Sequence, residues 1–166
     1  MAGKTLEHFI GGKRMANHNT SASALISAPA RKIYDLIADY RDRHPRILPK
    51  PYFVSLQVEQ GGYGAGTVIN FQMRLMGRVQ SFHSMITEPE PGHTLVETDM
   101  NTGAVTTFTV DPRSHGQEAF VTITTTTRVP NGILGKIQSW LTERLLSPIY
   151  EKELDQLAAV AKEQAV

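Results

Sequence analysis

Apolar and polar residues alternate through most of the middle of the chain, and a period of two is typical of β-strands that bury one face. The clearest example is residues 67–76, where Ile69, Phe71 and Met73 are separated by polar residues. Turns rich in glycine or proline separate the alternating segments. Six such segments occur, at residues 52–60, 67–76, 78–86, 94–100, 104–111 and 119–129. Their order predicts an antiparallel sheet with one buried face.

Stretches with the periodicity of an α-helix lie before and after these alternating segments. Residues 19–26 read as one further, first strand, and Pro29 then suits the first turn of a helix. The apolar residues on one face of this helix are Ile33, Tyr34, Leu36, Ile37 and Tyr40. Three prolines within residues 45–51 predict a second short helix or turn that ends by Pro49. After residue 132 the pattern predicts a long C-terminal helix, with a bend or break at Pro148.

The parity of the strands predicts which side chains face the interior. An even number of residues in the turn at Gly77 puts Phe71 on the same face as Phe82. Three residues in the turn at 101–103 put Thr98 on the same face as Phe108. The predicted inner face comprises Val54, Leu56, Val58, Ile69, Phe71, Met73, Phe82, Ile86, Val96, Met100, Phe108, Val110, Val121 and Ile123, with the hydroxyls of Ser84, Thr98, Thr106 and Thr125. No carboxylate, imidazole or amine of the strands lies on this face, so the sheet is predicted to supply no general acid or base.

Composition narrows the class of protein. The chain has 166 residues, which suits a flexible N-terminal extension at 1–18 and one domain at 19–166. An apolar content of 40% and a formal net charge of +1 are typical of a globular protein and argue against a nucleic-acid partner, which requires a basic surface. No apolar run approaches the length of a membrane span. The absence of cysteine excludes disulfides and thiolate chemistry, and it suits a cytoplasmic location.

Motifs for catalysis are sparse. The glycine-rich segment 61–66 precedes a strand rather than a helix, so it is predicted to be a hairpin turn at a cavity mouth, with Tyr63 touching a ligand, and not a phosphate loop. No pair of the six histidines has the i, i+4 spacing of a helical metal site, and no metal or other cofactor is predicted. His44, which precedes a proline near the predicted rim of the cavity, is the best candidate for an acid or base.

Four motifs in this order and spacing resemble the START-like (SRPBCC) superfamily: ISAPARKIYDLIADY, GGYGAGTVINF, ITEPEPGHTLVET and YEKELDQLAAVAKE. This group contains birch-pollen allergen, polyketide cyclase/dehydrase-like proteins and coenzyme Q-binding proteins, and the resemblance covers about residues 22–164. It implies an α+β helix-grip fold, in which a curved seven-stranded antiparallel sheet wraps around a long C-terminal helix, with two short helices after strand 1. It also implies a cavity between the sheet and the helix.

The expected function is the binding of a small hydrophobic or amphipathic ligand, such as a lipid, polyketide or isoprenoid-like molecule, in that cavity. The predicted ligand-binding residues are His44, Leu56, Tyr63, Phe71, Met73, Phe82, Ser84, Thr98, Phe108, Ile123, Ile137 and Leu141. One alternative is a cofactor-free cyclase or dehydratase that uses His44, Tyr52 or Arg144 from the rim, and no catalytic residue is assigned. A second alternative is an adaptor that binds another protein. Ligand identity and oligomeric state stay open.

Overall fold

The computed structural model describes residues 14–163, which form a seven-stranded antiparallel sheet and three α-helices. The elements are β1 (Met15–Ile26), α1 (Ala30–Ala38), α2 (His44–Ile47), β2 (Phe53–Gln60), β3 (Val68–Leu75), β4 (Arg78–Glu90), β5 (Thr94–Asp99), β6 (Val105–Arg113), a 3-10 turn (Ser114–Gly116), β7 (Glu118–Pro130) and α3 (Ile133–Glu163). The strands are ordered β1-β7-β6-β5-β4-β3-β2 in the sheet. This architecture confirms the predicted helix-grip fold, including the two short helices after β1.

The first strand begins earlier than the sequence pattern indicates. Residues 15–18, which were assigned to the N-terminal extension, belong to β1 and pair with β7, from Met15 opposite Pro130 to His18 opposite Thr127. The domain boundary expected between residues 18 and 19 therefore falls inside a strand. The rest of the predicted extension, residues 1–13, lies outside the described residues.

The core lies between the sheet, α1 and the C-terminal half of α3. Ile33, Leu36 and Ile37 of α1 are fully buried, and Leu154 and Leu157 of α3 pack into the same cluster. α3 continues through Pro148 without a break, although this proline leaves the carbonyl one turn earlier without its helical partner.

The N-terminal half of α3 buries much less of its surface. Ile137 and Trp140 are 57% and 58% exposed, whereas Ile149 and Leu154 in the other half are almost fully buried. The helix therefore closes tightly on the sheet at one end only. Space is left between its first half and the sheet.

Strands β3 and β4 face as predicted. A two-residue turn, Met76 and Gly77, joins Leu75 to its partner Arg78, and Phe71 lies directly opposite Phe82. In β2, however, a bulge between Phe53 and Ser55 turns Val54 outward, so that Val54 is 42% exposed.

The predicted facing of β5 is wrong. The loop to β6 contains four residues, Met100–Gly103, and not three, because the Asp99 N–H donates to the carbonyl of Ala104 (2.9 Å). Phe108 consequently lies opposite Leu95, and on the other side of β5 Ile86 lies opposite Glu97. The inward side chains of β5 are therefore Leu95, Glu97 and Asp99, while Val96, Thr98 and Met100 lie on the other face.

The glycine-rich loop at 61–66 packs on the C-terminal end of α1 and not at a cavity mouth. The Gly64 N–H donates to the carbonyl of Ala38 (3.0 Å). The carboxylate of Glu88 accepts from the Ala65 N–H (2.7 Å) and from the Tyr34 hydroxyl. Gly64 has φ +56°, and a Cβ at this position would overlap the Glu88 carboxylate, so the close approach requires glycine.

Candidate functional site

The space between the sheet and α3 forms a cavity with two adjoining parts. The outer chamber, between β3, β4, β5 and the N-terminal half of α3, has a volume of about 490 Å³. The inner chamber, which ends on α2 and the middle of α3, has about 60 Å³. The two chambers adjoin, because Phe71, Met73, Glu97, Thr106 and Tyr150 line both of them.

The walls of the outer chamber are largely apolar. Phe71 stacks on Phe82 with ring centroids 5.0 Å apart and contacts Phe53 at 6.1 Å, which makes an aromatic wall along β2–β4. Leu145 and Leu146 of α3 face this wall across the chamber. Further members of the lining are Leu75, Met76, Gln80, Ser84, Gln138 and Thr142. The chamber reaches the surface between Met76 and Gln138, which are both exposed.

The inner chamber ends on titratable groups. The Tyr40 hydroxyl donates to Glu97 Oε1 (2.5 Å). His44 Nδ1 lies 2.6 Å from the Ile37 carbonyl, to which it donates, so Nε2 carries the lone pair. That Nε2 lies 4.0 Å from Glu97 Oε1, and the His44 ring stacks on Tyr40 at 4.4 Å. Glu153 of α3 lines the same chamber.

Burial controls the charges of these groups. Burial raises the pKa of Glu97 from 4.5 to about 7, and the hydrogen bond from Tyr40 offsets only part of this shift. Burial lowers the pKa of His44 to about 4, so the imidazole is neutral at physiological pH. The pKa of Glu153 is raised well above its ordinary value, first by burial and then by the charge of Glu97. At neutral pH the inner end therefore carries at most a partial negative charge.

Hydroxyl groups line the junction of the two chambers. Tyr150 shares a hydrogen bond with the Thr125 hydroxyl, which in turn lies 2.6 Å from the Thr106 hydroxyl. Burial raises the pKa of Tyr150, which keeps its phenol protonated at physiological pH. This chain of neutral hydroxyls can donate to or accept from a bound molecule.

Two polar groups of the wall have no hydrogen-bond partner within residues 14–163. The Glu153 carboxyl, on a residue only 3% exposed, makes no hydrogen bond to another described residue, and Thr127 Oγ1 is buried and unpaired. Buried polar groups are normally paired, because an unpaired one costs about 1–3 kcal/mol. The Glu153 carboxyl lines the inner chamber and is available to a ligand, whereas Thr127 Oγ1 is too deeply buried to be reached from the outer chamber.

Seven of the twelve predicted site residues lie on the cavity wall: His44, Leu56, Phe71, Met73, Phe82, Ser84 and Phe108. His44 was expected at the rim, but it is 2% exposed and lies at the inner end, since α2 packs under the sheet. Arg144, the other rim candidate with Tyr52, is exposed and lies over the Trp140 ring (5.5 Å), outside the cavity. Tyr52 contacts Lys152, and the Lys152 ammonium lies 4.9 Å from the centre of the Tyr52 ring.

The other five lie elsewhere. Thr98 is on the opposite face of β5, Ile123 is in the closed core, and Ile137 and Leu141 are not part of the lining, because α3 turns Gln138 and Thr142 toward the cavity. Tyr63 is 55% exposed and donates to Asp35 Oδ1 (2.6 Å) on α1.

The structure adds four residues that the sequence reasoning did not assign: Tyr40, Glu97, Tyr150 and Glu153. Glu153 could have been found, because it lies three residues after Tyr150 and four before Leu157, on the apolar side of the helix. Nothing in the hydrophobic pattern marks Glu97, because only the length of the β5–β6 loop determines its direction.

Two negative findings apply to residues 14–163. This part of the chain contains no group of three or more histidine, aspartate or glutamate side chains placed to hold a metal ion. None of its helices is long and apolar enough to cross a membrane.

Comparisons with known proteins agree with this architecture. The KanY protein, solved by NMR, is 26% identical with a TM-score of 0.73, and the match covers 89% of this chain and 99% of that one. The Zhui aromatase/cyclase from Streptomyces sp. R1128 is 13% identical (TM-score 0.72, 91% and 97% covered). A START superfamily protein from Mycobacterium smegmatis is 12% identical (TM-score 0.69, 89% and 99% covered). At such identities the last two show a shared fold alone.

No curated protein matches the chain. A family model described as polyketide cyclase/dehydrase and lipid transport matches residues 17–162, which include the whole sheet except the first two residues of β1, and nearly all of α3. The chain therefore belongs to the polyketide cyclase/dehydrase and lipid transport family.

Proposed function

We propose that the protein binds a small amphipathic molecule in the cavity, with an apolar body in the outer chamber and a polar end at the inner chamber. The observation that carries this proposal is a pair of adjoining chambers that share five lining residues: the outer one has aromatic and aliphatic walls, and the inner one is lined by Glu97 and Glu153. An outer volume of about 490 Å³ is within the range of small-molecule sites, which bury most of their ligand. The family description, which names polyketides and lipids, supports the same chemistry.

Each part of the wall has a role in this proposal. Apolar contact with Phe71 and Phe82 stabilises the body of the ligand by roughly 25 cal/mol for each Å² removed from water. The hydroxyls of Tyr150 and Thr106 orient polar atoms along its length. Because the inner groups are buried, hydrogen bonds that they make to a ligand are not weakened by competing water.

A fluorescence titration tests the proposal. The neutral probe N-phenyl-1-naphthylamine should bind the wild-type protein saturably, and Phe71→Ala should change its affinity at least fivefold, since the ring lines both chambers. Gln72→Ala is the matched control, because Gln72 is the next residue of β3 and points to the other face of the sheet, where it contacts Ser81. Absence of saturable binding, or an effect of Gln72→Ala without one of Phe71→Ala, would contradict the proposal.

Acid–base catalysis in the same cavity is the second candidate. A pKa of about 7 places Glu97 where a general acid or base is most effective. The ionised carboxylate could remove a proton from the carbon next to a ligand carbonyl. The electron pair of the C–H bond would form a double bond between the two carbons, the π electrons of the carbonyl would move to its oxygen, and protonated Glu153 could donate its proton there to complete an enol. Enols of this kind lead to cyclisation and dehydration of polyketone chains.

Deuterium exchange tests this second candidate directly. The wild-type protein in D₂O should accelerate exchange of the α-hydrogens of 2-tetralone, an apolar ketone, as followed by proton NMR. Glu97→Gln should abolish the acceleration, whereas Glu151→Gln, an exposed glutamate on α3, should keep it. Equal exchange with wild type and Glu97→Gln would exclude Glu97 as the base.

A further inference from the structure

We propose that the polar end of the ligand is a cationic amine, whose ammonium group lies between Glu97 and Glu153. This inference rests on the proposed function, because it names the class of molecule that the cavity binds. The inner chamber has two carboxyl groups at its end, and both belong to its lining.

The cavity is acidic and lacks a buried positive charge. Glu97, Asp99 and Glu153 line the two chambers, and the one lysine or arginine among the described lining residues is Arg128, which is exposed at the mouth of the outer chamber. A site for an anionic head group would be expected to contain a buried arginine or lysine. A fatty acid or other carboxylate at the inner end would meet like charges, and the low polarity of the walls would increase the repulsion.

The carboxylate of Asp99 already has hydrogen-bond donors within the protein. It accepts hydrogen bonds from the His83 N–H (3.0 Å), the Thr102 N–H (2.9 Å) and the Thr102 hydroxyl (2.5 Å). These bonds lower its pKa although burial alone would raise it, so Asp99 is an ionised carboxylate with a structural role in the β5–β6 loop. The two glutamates are therefore the carboxyl groups open to a ligand.

Glu153 is the strongest indication of the ligand class. It is 3% exposed, faces the inner chamber, and makes no hydrogen bond within residues 14–163. An ammonium group has three N–H donors and no acceptor, so it can satisfy Glu153 and the free lone pairs of Glu97 together. A hydroxyl offers one donor and no charge. Amines should thus bind more tightly than alcohols, and alcohols more tightly than carboxylates.

Binding of an amine should also release protons. The titratable groups that face the inner chamber and its junction from α2, β5, α3 and the segment after α1 are Tyr40, His44, Glu97, Asp99, Tyr150 and Glu153. Of these, Glu153 is protonated and Glu97 partly protonated at neutral pH, because both are buried without a cation. An ammonium beside them favours both carboxylates, so the protons leave as the amine enters.

Three probes with the same tail and different head groups test the proposal: decylamine, decanol and decanoate. Their affinities are measured at pH 7.5 by displacement of N-phenyl-1-naphthylamine from the wild-type protein, Glu153→Gln and Glu151→Gln. Decylamine should bind at least tenfold more tightly than decanol, and decanoate should bind most weakly. Glu153→Gln should remove most of the preference for the amine while changing the affinity for decanol less than twofold. Glu151→Gln, exposed on the same helix, should behave as wild type.

The outcomes separate this inference from the function on which it rests. If decanol binds as tightly as decylamine, the amine assignment is wrong and the apolar site stands. If none of the three probes displaces the fluorophore, the proposed function fails as well. Equal weakening of decylamine and decanol by Glu153→Gln would assign a structural role to Glu153 and overturn the inference. Calorimetry of decylamine in buffers of different ionisation enthalpy should detect proton release, and identical enthalpies in all buffers would contradict it.

Discussion

Replacing Glu97 by glutamine should change how the stability of the protein depends on pH. The substitution keeps the shape of the side chain and an oxygen that can accept from the Tyr40 hydroxyl, but it removes the titrating group. In the wild-type protein the pKa of Glu97 is raised from 4.5 to about 7 by burial. The native state therefore holds this proton more tightly than the unfolded chain.

The sign and size of the effect follow from this shift. A group with a raised pKa in the folded state contributes its full stability below the unfolded pKa and loses it as the pH rises through the folded pKa. Each pKa unit corresponds to about 1.4 kcal/mol, so the shift of Glu97 is worth about 3 kcal/mol, lost between about pH 4.5 and pH 7. The pKa of His44 is lowered, so its contribution is lost in the opposite direction, as the pH falls from 6.5 toward 4. His44 is present in both proteins, so its titration largely cancels in their difference.

Urea unfolding followed by circular dichroism at pH 5 and pH 8 measures the difference. Between these two values the wild-type protein should lose about 2–3 kcal/mol of unfolding free energy relative to Glu97→Gln. Glu151→Gln serves as the control, because its exposed side chain should leave the pH dependence of the wild-type protein unchanged. If the wild-type protein and Glu97→Gln differ by the same free energy at both pH values, Glu97 does not titrate as a buried carboxyl and the reasoning is refuted.

Two further substitutions test the packing around the site. Gly64→Ala should lower the unfolding free energy by at least about 1 kcal/mol more than Gly66→Ala does. Both glycines have a positive φ, but only a Cβ at residue 64 would meet the Glu88 carboxylate. Equal losses of unfolding free energy in urea would contradict that contact. Tyr150→Phe should lower the unfolding free energy by about 1 kcal/mol, since it removes the hydroxyl that is hydrogen-bonded to Thr125. An unchanged midpoint of thermal unfolding would show that this hydrogen bond contributes nothing to stability.

Much of the fold could be predicted because its strands bury one face. The alternation in β3 and β4 places Phe71 and Phe82 on the face opposite to their polar neighbours, and the two-residue turn at Gly77 puts both rings on the same face of the sheet. In β5 the adjacent apolar residues Leu95 and Val96 fit either face equally well. One additional residue in the loop after β5 then determines on which face of the sheet each side chain of β5 lies. The composition of a loop does not specify its length closely enough to predict this.

The chemistry of the site was harder to predict for a physical reason. Patterns of burial assign acidic residues to the surface, since burying a carboxyl without a partner is unfavourable. Glu153, which is 3% exposed and unpaired, breaks this rule, and Glu97 escapes it only through the hydrogen bond from Tyr40; such residues concentrate at functional sites. The apolar walls of the cavity could be predicted from the strand pattern, whereas its polar end is formed by acidic residues that do not follow this pattern.

The order of the strands has a consequence for synthesis on the ribosome. β1 and β2 follow one another in the chain but lie at opposite edges of the sheet, and within residues 14–163 the one neighbour of β1 is β7. Each β1–β7 pair, from Met15 with Pro130 to Ile26 with Ala119, joins residues about a hundred positions apart. β1 therefore leaves the ribosome first and waits for nearly the whole chain before it can pair. The nascent protein exposes an unpaired strand and the apolar face of α1 throughout elongation, and the cavity can close only after translation of α3 has ended.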